Sequence, residues 1–418
     1  MTPPIGTTHV PRIAYLESIR GLAAVQVLLL HFICAFAPDL LNALPAVAPI
    51  AAFIHLSPLY FLYDGYSAVY IFFVLSGYVL TRSFERNLAN PPAQILARIV
   101  RLGLPASAAV LVAAVTMLAF GKPNVAAGEL SGSTWLASQW NTDVSWFQLI
   151  RDGIANALFL GYSDLPGAAF LAPWQQPTEQ SFVVPLWTLS IEFYGSLIVL
   201  ALCWCARRSR ALWWMVVLCG AVFTIRSAYI CFFVGHLLAS FDRAERPVPA
   251  SKLLPVFCIL FGVFLCVLAQ AWQPDWLRSL CTSSTWLLFP GQFAPMQLKT
   301  FGAILVLVGL IDLQVARDLL SRPWLVERSK LSFPLYLIHW PILCGPAAAL
   351  FLLLNGVVGI ELARLIAIVA GICLAFAAST FFLPLDRRAL ELSRALRKRM
   401  SVGVSDAPRA AVRVVAAE

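Results

Sequence analysis

The stretch "ESIRGLAAVQVLLLHF", residues 17–32, is almost wholly apolar apart from Glu17, Arg20, Gln26 and His31. Eleven helical steps of about 100° close to within roughly 20° of three turns and rise about 16 Å, so Arg20 and His31 share a helix face. That arrangement sets a cation at the mouth of an apolar slab about 30 Å thick and an imidazole base near its middle. Glu17 lies one turn below Arg20 on the same side. A substrate with an anionic head and a reactive group reaching inward fits the pair, and acyl-coenzyme A has that shape. A histidine that only hydrogen-bonds a neighbouring helix fits the same pattern, so the spacing leaves both readings open.

Three further constellations carry chemistry. In "FFVLSGYVLTRSFERN…ARIVRL" the Ser76-Gly77 pair lets backbones approach, while Arg82, Arg86, Arg98 and Arg101 gather at one end of the apolar run. Those arginines are either an anion clamp for a nucleotide diphosphate or charge that sets topology. In "PLWTLSIEFYGSLIV" Glu192 stands inside an apolar run, where a carboxylate must pair, orient a histidine or meet a polar substrate. Its purely structural reading is a partner for Arg226 or another outward arginine. In "LSFPLYLIHWPI" His339 is a rival base, with Tyr336 three residues before it, and Pro334 and Pro341 predict a distorted helix. A Gly-rich phosphate loop, HExxH, GxSxG and H-x4-D are all missing. The ten cysteines form no CxxC pair and no metal-ligand spacing, so they read as small hydrophobes in helices, with no metal and no bound cofactor expected.

Elements that position these residues follow from composition. A chain of 418 residues, 60% hydrophobic and 12% charged, with mean hydropathy +0.80, is too apolar for an ordinary soluble protein. Apolar segments at about 16–37, 58–80, 100–119, 186–205, 211–225, 228–241, 252–270, 299–316, 331–354 and 360–384 predict an all-α, polytopic membrane protein of about ten helices. The fifth and sixth are short and meet at Arg226. With both termini cytoplasmic, ten spans leave only Lys122, Arg151, Arg226, Arg278, Lys299 and Arg364 outside, and nine would turn the basic tail outward. The net charge of +9 then reflects topology and anionic lipid and calls for no nucleic-acid partner. The first segment is long and has no small-residue cleavage site, so it reads as a retained span. Residues 1–390 form the expected membrane domain and 391–418 a basic, flexible cytoplasmic tail. The segment at about 120–185 reads as an outward loop in which "NALFLGY" is too short to cross.

Five motifs in order make the chain resemble the acyltransferase-3 family of bacterial integral-membrane O-acyltransferases, which acylate surface polysaccharides, lipooligosaccharides and related sugars. They are R-x10-H at Arg20 and His31, "FFVLSGY" at 72–78, "RIVRL" at 98–102, "LWTLSIEFY" at 186–194 and "YLIHWP" at 336–341. Tyr70 and Ile71 stand where the family often has an aspartate before FF, and Phe193 follows Glu192 where it often has a second glutamate. The resemblance implies a multi-pass protein of the bacterial inner membrane that moves an acyl group, acetyl above all, from acyl-CoA as co-substrate to a hydroxyl of a carbohydrate or glycolipid. It implies His31 and Glu192 as catalytic residues and Arg20, Arg98, Arg101, Ser76 and Gly77 as donor-binding ones. Glu17, His339 and Tyr336 are secondary candidates. His31 either acts as general base or carries the acyl group as an acyl-imidazole. A transporter or lipid-linked-sugar flippase is the competing class, although the sequence lacks the paired repeats such carriers often show.

Overall fold

In hydrocarbon every backbone N–H and C=O must find a partner within the chain, and a long apolar run meets that demand as a helix. The computed structural model describes residues 13–41, 49–86, 88, 90–164, 169–241, 247–249, 251–271 and 294–405. The polar arm 1–12, the arginines 243, 246 and 278 and tail residues 406–418 lie outside the described residues. Described residues form helices and helical turns with no strand, save an isolated bridge between Tyr162 and Gln176.

The main helices are α1 (Ala14–Phe36), α2 (Gly65–Arg86), α3 (Pro91–Phe120), α4 (Trp187–Arg208), α5 (Arg210–Thr224), α6 (Ile230–Ser240), α7 (Leu253–Ala271), α8 (Ala294–Ile311), α9 (Gln314–Leu320), α10 (Ser332–Ile342) and α11 (Ile360–Ser405). Past Ile342, α10 runs through a π-turn at Leu343–Ala347 into Ala348–Val358. Each expected segment holds a helix. Among the described residues, six spans are long and apolar enough to cross a membrane: α1, α2, α3, α4, the α10 run and α11. The pair α8 and α9, bent by 88°, makes seven if counted as one span, while α5, α6 and α7 are apolar but shorter. Local chemistry sets the breaks. Asn90 Oδ1 accepts the Ala93 N–H at 3.1 Å and Pro91 opens α3, where a missing N–H costs nothing. Ser209 caps α5 directly after Arg207 and Arg208, and a turn around Arg226 separates α5 from α6 as two short helices.

α1, α3 and α10 start, and α2, α4 and α11 finish, at one end of the bundle, here called the basic end. Arg207 donates to the Glu85 carbonyl there, Arg397 to Ser83 Oγ at 3.3 Å, and Asn90 to the Met400 carbonyl at 2.9 Å. At the far end Ser131 and Ser133 donate to the Ala35 and Cys34 carbonyls at 2.7 and 2.6 Å. The far-end segment between α3 and α4 is ordered by short helices and a π-helix at Arg151–Leu160 that takes in most of "NALFLGY". Its anchor is Asp152, fully buried, which accepts from Tyr162 Oη at 2.6 Å, Ser181 Oγ at 3.0 Å and the Phe182 N–H at 2.8 Å. Burial raises the Asp152 carboxyl above its ordinary range, and these hydrogen bonds oppose the shift.

Three expectations change. Gly77 serves the crossing of α2 with α6: a Cβ there would lie 2.7 Å from the Phe232 carbonyl oxygen, and one on Gly235 2.1 Å from that of Val74. Only glycine lets the backbones meet so closely, and Gly77 is absent from the cavity described below. Residue 391, the expected start of a flexible tail, falls inside α11, which carries on to Ser405. Lys299, read as an outward charge, is 2% exposed within α8, where its ammonium lies 2.8 Å from Asp64 Oδ1 and donates to Tyr60 Oη at 2.7 Å. Asp64, at 0% exposure, also accepts from the Ser67 hydroxyl. Removing one member of such a pair strands a buried charge and costs about 3–5 kcal/mol. Lys299→Met should therefore lower the thermal unfolding temperature in detergent sharply, and Lys299→Met with Asp64→Asn should recover most of the loss. A double variant no more stable than the single would show that the pair does not hold α8 to α2.

Candidate active site

α1 and α10 bring the two histidines together. His31 Nδ1 lies 2.8 Å from His339 Nε2, and His339 Nδ1 lies 2.9 Å from the Leu335 carbonyl one turn back. A carbonyl only accepts, so His339 carries a proton on Nδ1 and, as a neutral ring, offers a lone pair at Nε2. His31 then donates from Nδ1, which leaves a bare lone pair on its Nε2. These tautomers are assigned from the hydrogen-bond pattern. His339 is fully buried, whereas His31 is partly exposed and its Nε2 makes no hydrogen bond among the described residues. The rival bases thus form one unit: His31 presents the base and His339 fixes its tautomer.

Two tryptophans wall the unit. Trp135, from the far-end helix Thr134–Ser138, stacks on His31 at 5.7 Å between ring centroids, and Trp340 meets it edge-on at 5.4 Å. Trp340 Nε1 is a buried donor with no partner among the described residues. Neither tryptophan was a candidate from sequence, because Trp135 lies in the loop region and Trp340 reads as apolar filling.

From the basic end a cavity of about 1160 Å³ runs inward between α1, α2, α3, α4, α10 and α11. Phe72, Thr188 and Tyr336 line its deep part. The Tyr336 hydroxyl is held by Thr188 Oγ1 at 2.8 Å and donates to the Pro185 carbonyl at 3.1 Å, and its ring meets Phe72 at 5.9 Å. The Tyr336 and His339 ring centroids are 6.3 Å apart. Tyr336 therefore stands between the cavity and the histidine unit.

Arg20, Glu17, Ser76, Arg98, Arg101 and Glu192 all line this cavity. Arg20 lies 3.4 Å from Glu17. Arg98 pairs with Glu192, which also accepts from Ser76 Oγ at 3.1 Å. The ion-pair partner of Glu192 is thus a cavity arginine of α3, in place of Arg226, and Glu192 lines the basic-end cavity. Arg101 pairs with Asp386 and lies over the Phe333 ring at 5.1 Å. Asp386, Arg394 and Arg397, unnamed by the sequence reading, also line the cavity. Their signal is the run of steps of three and four along α11; Asp386 falls just past the last apolar segment, and basic composition marks Arg394 and Arg397 as tail. No group of His, Cys, Asp and Glu that could hold a metal ion occurs among the described residues.

A family model described as an acyltransferase domain, that of the acyltransferase-3 family, matches residues 13–383. No curated protein and no solved structure matches the chain.

The tautomer assignment is open to a direct check. Nitrogen NMR of histidine-labelled protein should show protonated Nδ1 and bare Nε2 on both His31 and His339 near neutral pH. Replacing His339 by Leu should release His31 into a mixture of tautomers. A wild-type His31 with its proton on Nε2 would break the assigned chain.

Proposed function

From the membership of this chain in the acyltransferase-3 family, shown over residues 13–383, we propose that it is a membrane O-acyltransferase acting from acyl-CoA, with acetyl as the group moved. The acceptor in this reading is a hydroxyl of a carbohydrate or glycolipid, and the setting is the bacterial inner membrane. Ten spans with both termini cytoplasmic fit the charge distribution, which makes the basic end the cytoplasmic one.

One observation carries the reading: a proton-ordered histidine pair lies just beyond the deep part of a cavity whose mouth is rich in arginine. A donor with phosphates at one end and a thioester at the other would enter from the cytoplasm with its phosphates among the arginines and its acyl end toward Tyr336. The planar guanidinium forks of Arg20, Arg98 and Arg101 suit phosphate oxygens, and Glu192 and Asp386 hold two of those forks in place. The acceptor would approach from the far end, where Trp135 offers an aromatic wall.

At His31 the lone pair on Nε2 takes the proton of the acceptor hydroxyl as its oxygen attacks the thioester carbonyl. The C–S bond breaks, and the departing thiolate recovers the proton from His31. The alternative, transfer through an acyl-imidazole, uses the same lone pair and the same tautomer. His339 is a positioning residue in both, since it acts on the reacting groups through its contact with His31 Nδ1.

Transfer of label from acyl-labelled acetyl-CoA into alkali-labile ester, in membranes supplied with native acceptors, tests this. His31→Ala should lose about 10²–10⁴-fold of wild-type activity, the usual worth of a general base. His339→Gln keeps an oxygen able to accept from His31 Nδ1 and should retain far more activity than His339→Leu, which should fall about 10–100-fold. Wild-type protein that transfers no label would overturn acyl transfer, and full activity in His31→Ala would remove the chemistry from α1.

A further inference from the structure

Eight cationic and three acidic side chains line the cavity. Each acid faces an arginine: Glu17 on Arg20, Glu192 on Arg98 and Asp386 on Arg101. Much of the remaining positive charge lies on α11 beyond residue 383, where the family match ends. Asp386, Arg387, Leu390, Ser393, Arg394 and Arg397 turn one helical stripe to the cavity, and no acid lies on that stripe after Asp386.

This part of α11 is docked against its neighbours. Arg101 grips Asp386 at its start, and near its finish Arg397 reaches Ser83 and Asn90 reaches the Met400 carbonyl. Between Asp386 and Arg397 the helix rises about 16 Å along the cavity mouth. Arg394, exposed, makes no hydrogen bond or ion pair among the described residues. Cations clustered in a cleft focus a positive potential that favours a polyanion, and arginine forks match phosphate oxygens.

Resting on the acyl-CoA reading above, we propose that Arg394 and Arg397 bind the ribose 3′-phosphate of the donor, with Arg387 beside the diphosphate. In acyl-CoA the 3′-phosphate lies at the opposite end from the thioester. With the thioester toward Tyr336, the adenosine end comes to the mouth, where α11 presents these arginines. The recognition element for the adenosine end is thus the part of α11 beyond residue 383, where the family match ends. A phosphate of an anionic lipid has the same local chemistry, and the test separates the two.

Full-length protein in phosphatidylcholine nanodiscs is titrated with acetyl-CoA and with 3′-dephospho-acetyl-CoA, for wild type and for Arg394→Gln with Arg397→Gln. Wild type should bind acetyl-CoA about tenfold or more tighter than the dephospho form, the worth of charge-assisted hydrogen bonds to one phosphate. The double variant should bind both forms alike, at the affinity wild type has for the dephospho form. Arg394→Gln alone alters an exposed side chain and should lose part of the discrimination even if the double variant folds poorly. A double variant that still discriminates, or a wild type that binds both forms equally and tightly, overturns the clamp while leaving acyl-CoA as donor. Discrimination kept, with loss of phosphatidylglycerol that wild type retains in native mass spectrometry, assigns the arginines to lipid and overturns it as well. A wild type that binds neither form removes the acyl-CoA reading, and the clamp with it.

Discussion

A charge or a free imidazole cannot stand alone in an apolar interior, and this bundle is organised around that constraint. Between helices that are greasy on every side, burial distinguishes poorly among ways of packing, because lipid is as apolar as the helix it would cover. Polar pairs do distinguish. Lys299 with Asp64 joins α8 to the start of α2, Arg98 with Glu192 joins α3 to α4, Arg101 with Asp386 joins α3 to α11, and His31 with His339 joins α1 to α10. Each tie leaves a costly unpaired group if the helices slip by one residue, so together they set the register on which the cavity depends.

α3 has the central part. Arg98 and Arg101 lie one turn apart and reach to different helices, so the carboxylates that hold α4 and α11 in place also hold the two guanidinium groups. Pairing does not exhaust them. A guanidinium has five N–H donors and one carboxylate occupies at most two, which leaves each with donors beyond its ion pair. The same contact therefore closes the helix packing and fixes a guanidinium on the cavity wall. Glu192 belongs to this framework through its contacts with Arg98 and Ser76.

Features with a local period were legible in the sequence. Long apolar runs became helices, and the eleven-residue step in α1 put Arg20 on the cavity and His31 on the histidine pair. What could not be read was pairing across the chain: Arg98 finds Glu192 at a separation of 94 residues, Arg101 finds Asp386 at 285 and His31 finds His339 at 308. No helical or strand period reports such distances. Lys299 looked like an outer charge because it sits at the edge of an apolar run, and only Asp64 explains its burial. Residues beyond 390 looked like a tail because composition outweighed a stripe at helical spacing, which α11 then used.

In the proposed reaction, a second histidine as the orienting group follows from the same constraint. In a Ser-His-Asp site a buried carboxylate holds the imidazole tautomer and stabilises the cation formed in turnover. Placed deep in an apolar bundle, that carboxylate would itself need a counter-charge, as Asp64 needs Lys299. His339 supplies the tautomer control as a neutral group, anchored by a backbone carbonyl that the helix already provides. It gives less electrostatic support to a protonated His31 than a carboxylate would. In the proposed reaction the two neutral rings add no charge of their own, and a proton arriving at His31 Nε2 would be shared through the 2.8 Å contact across both.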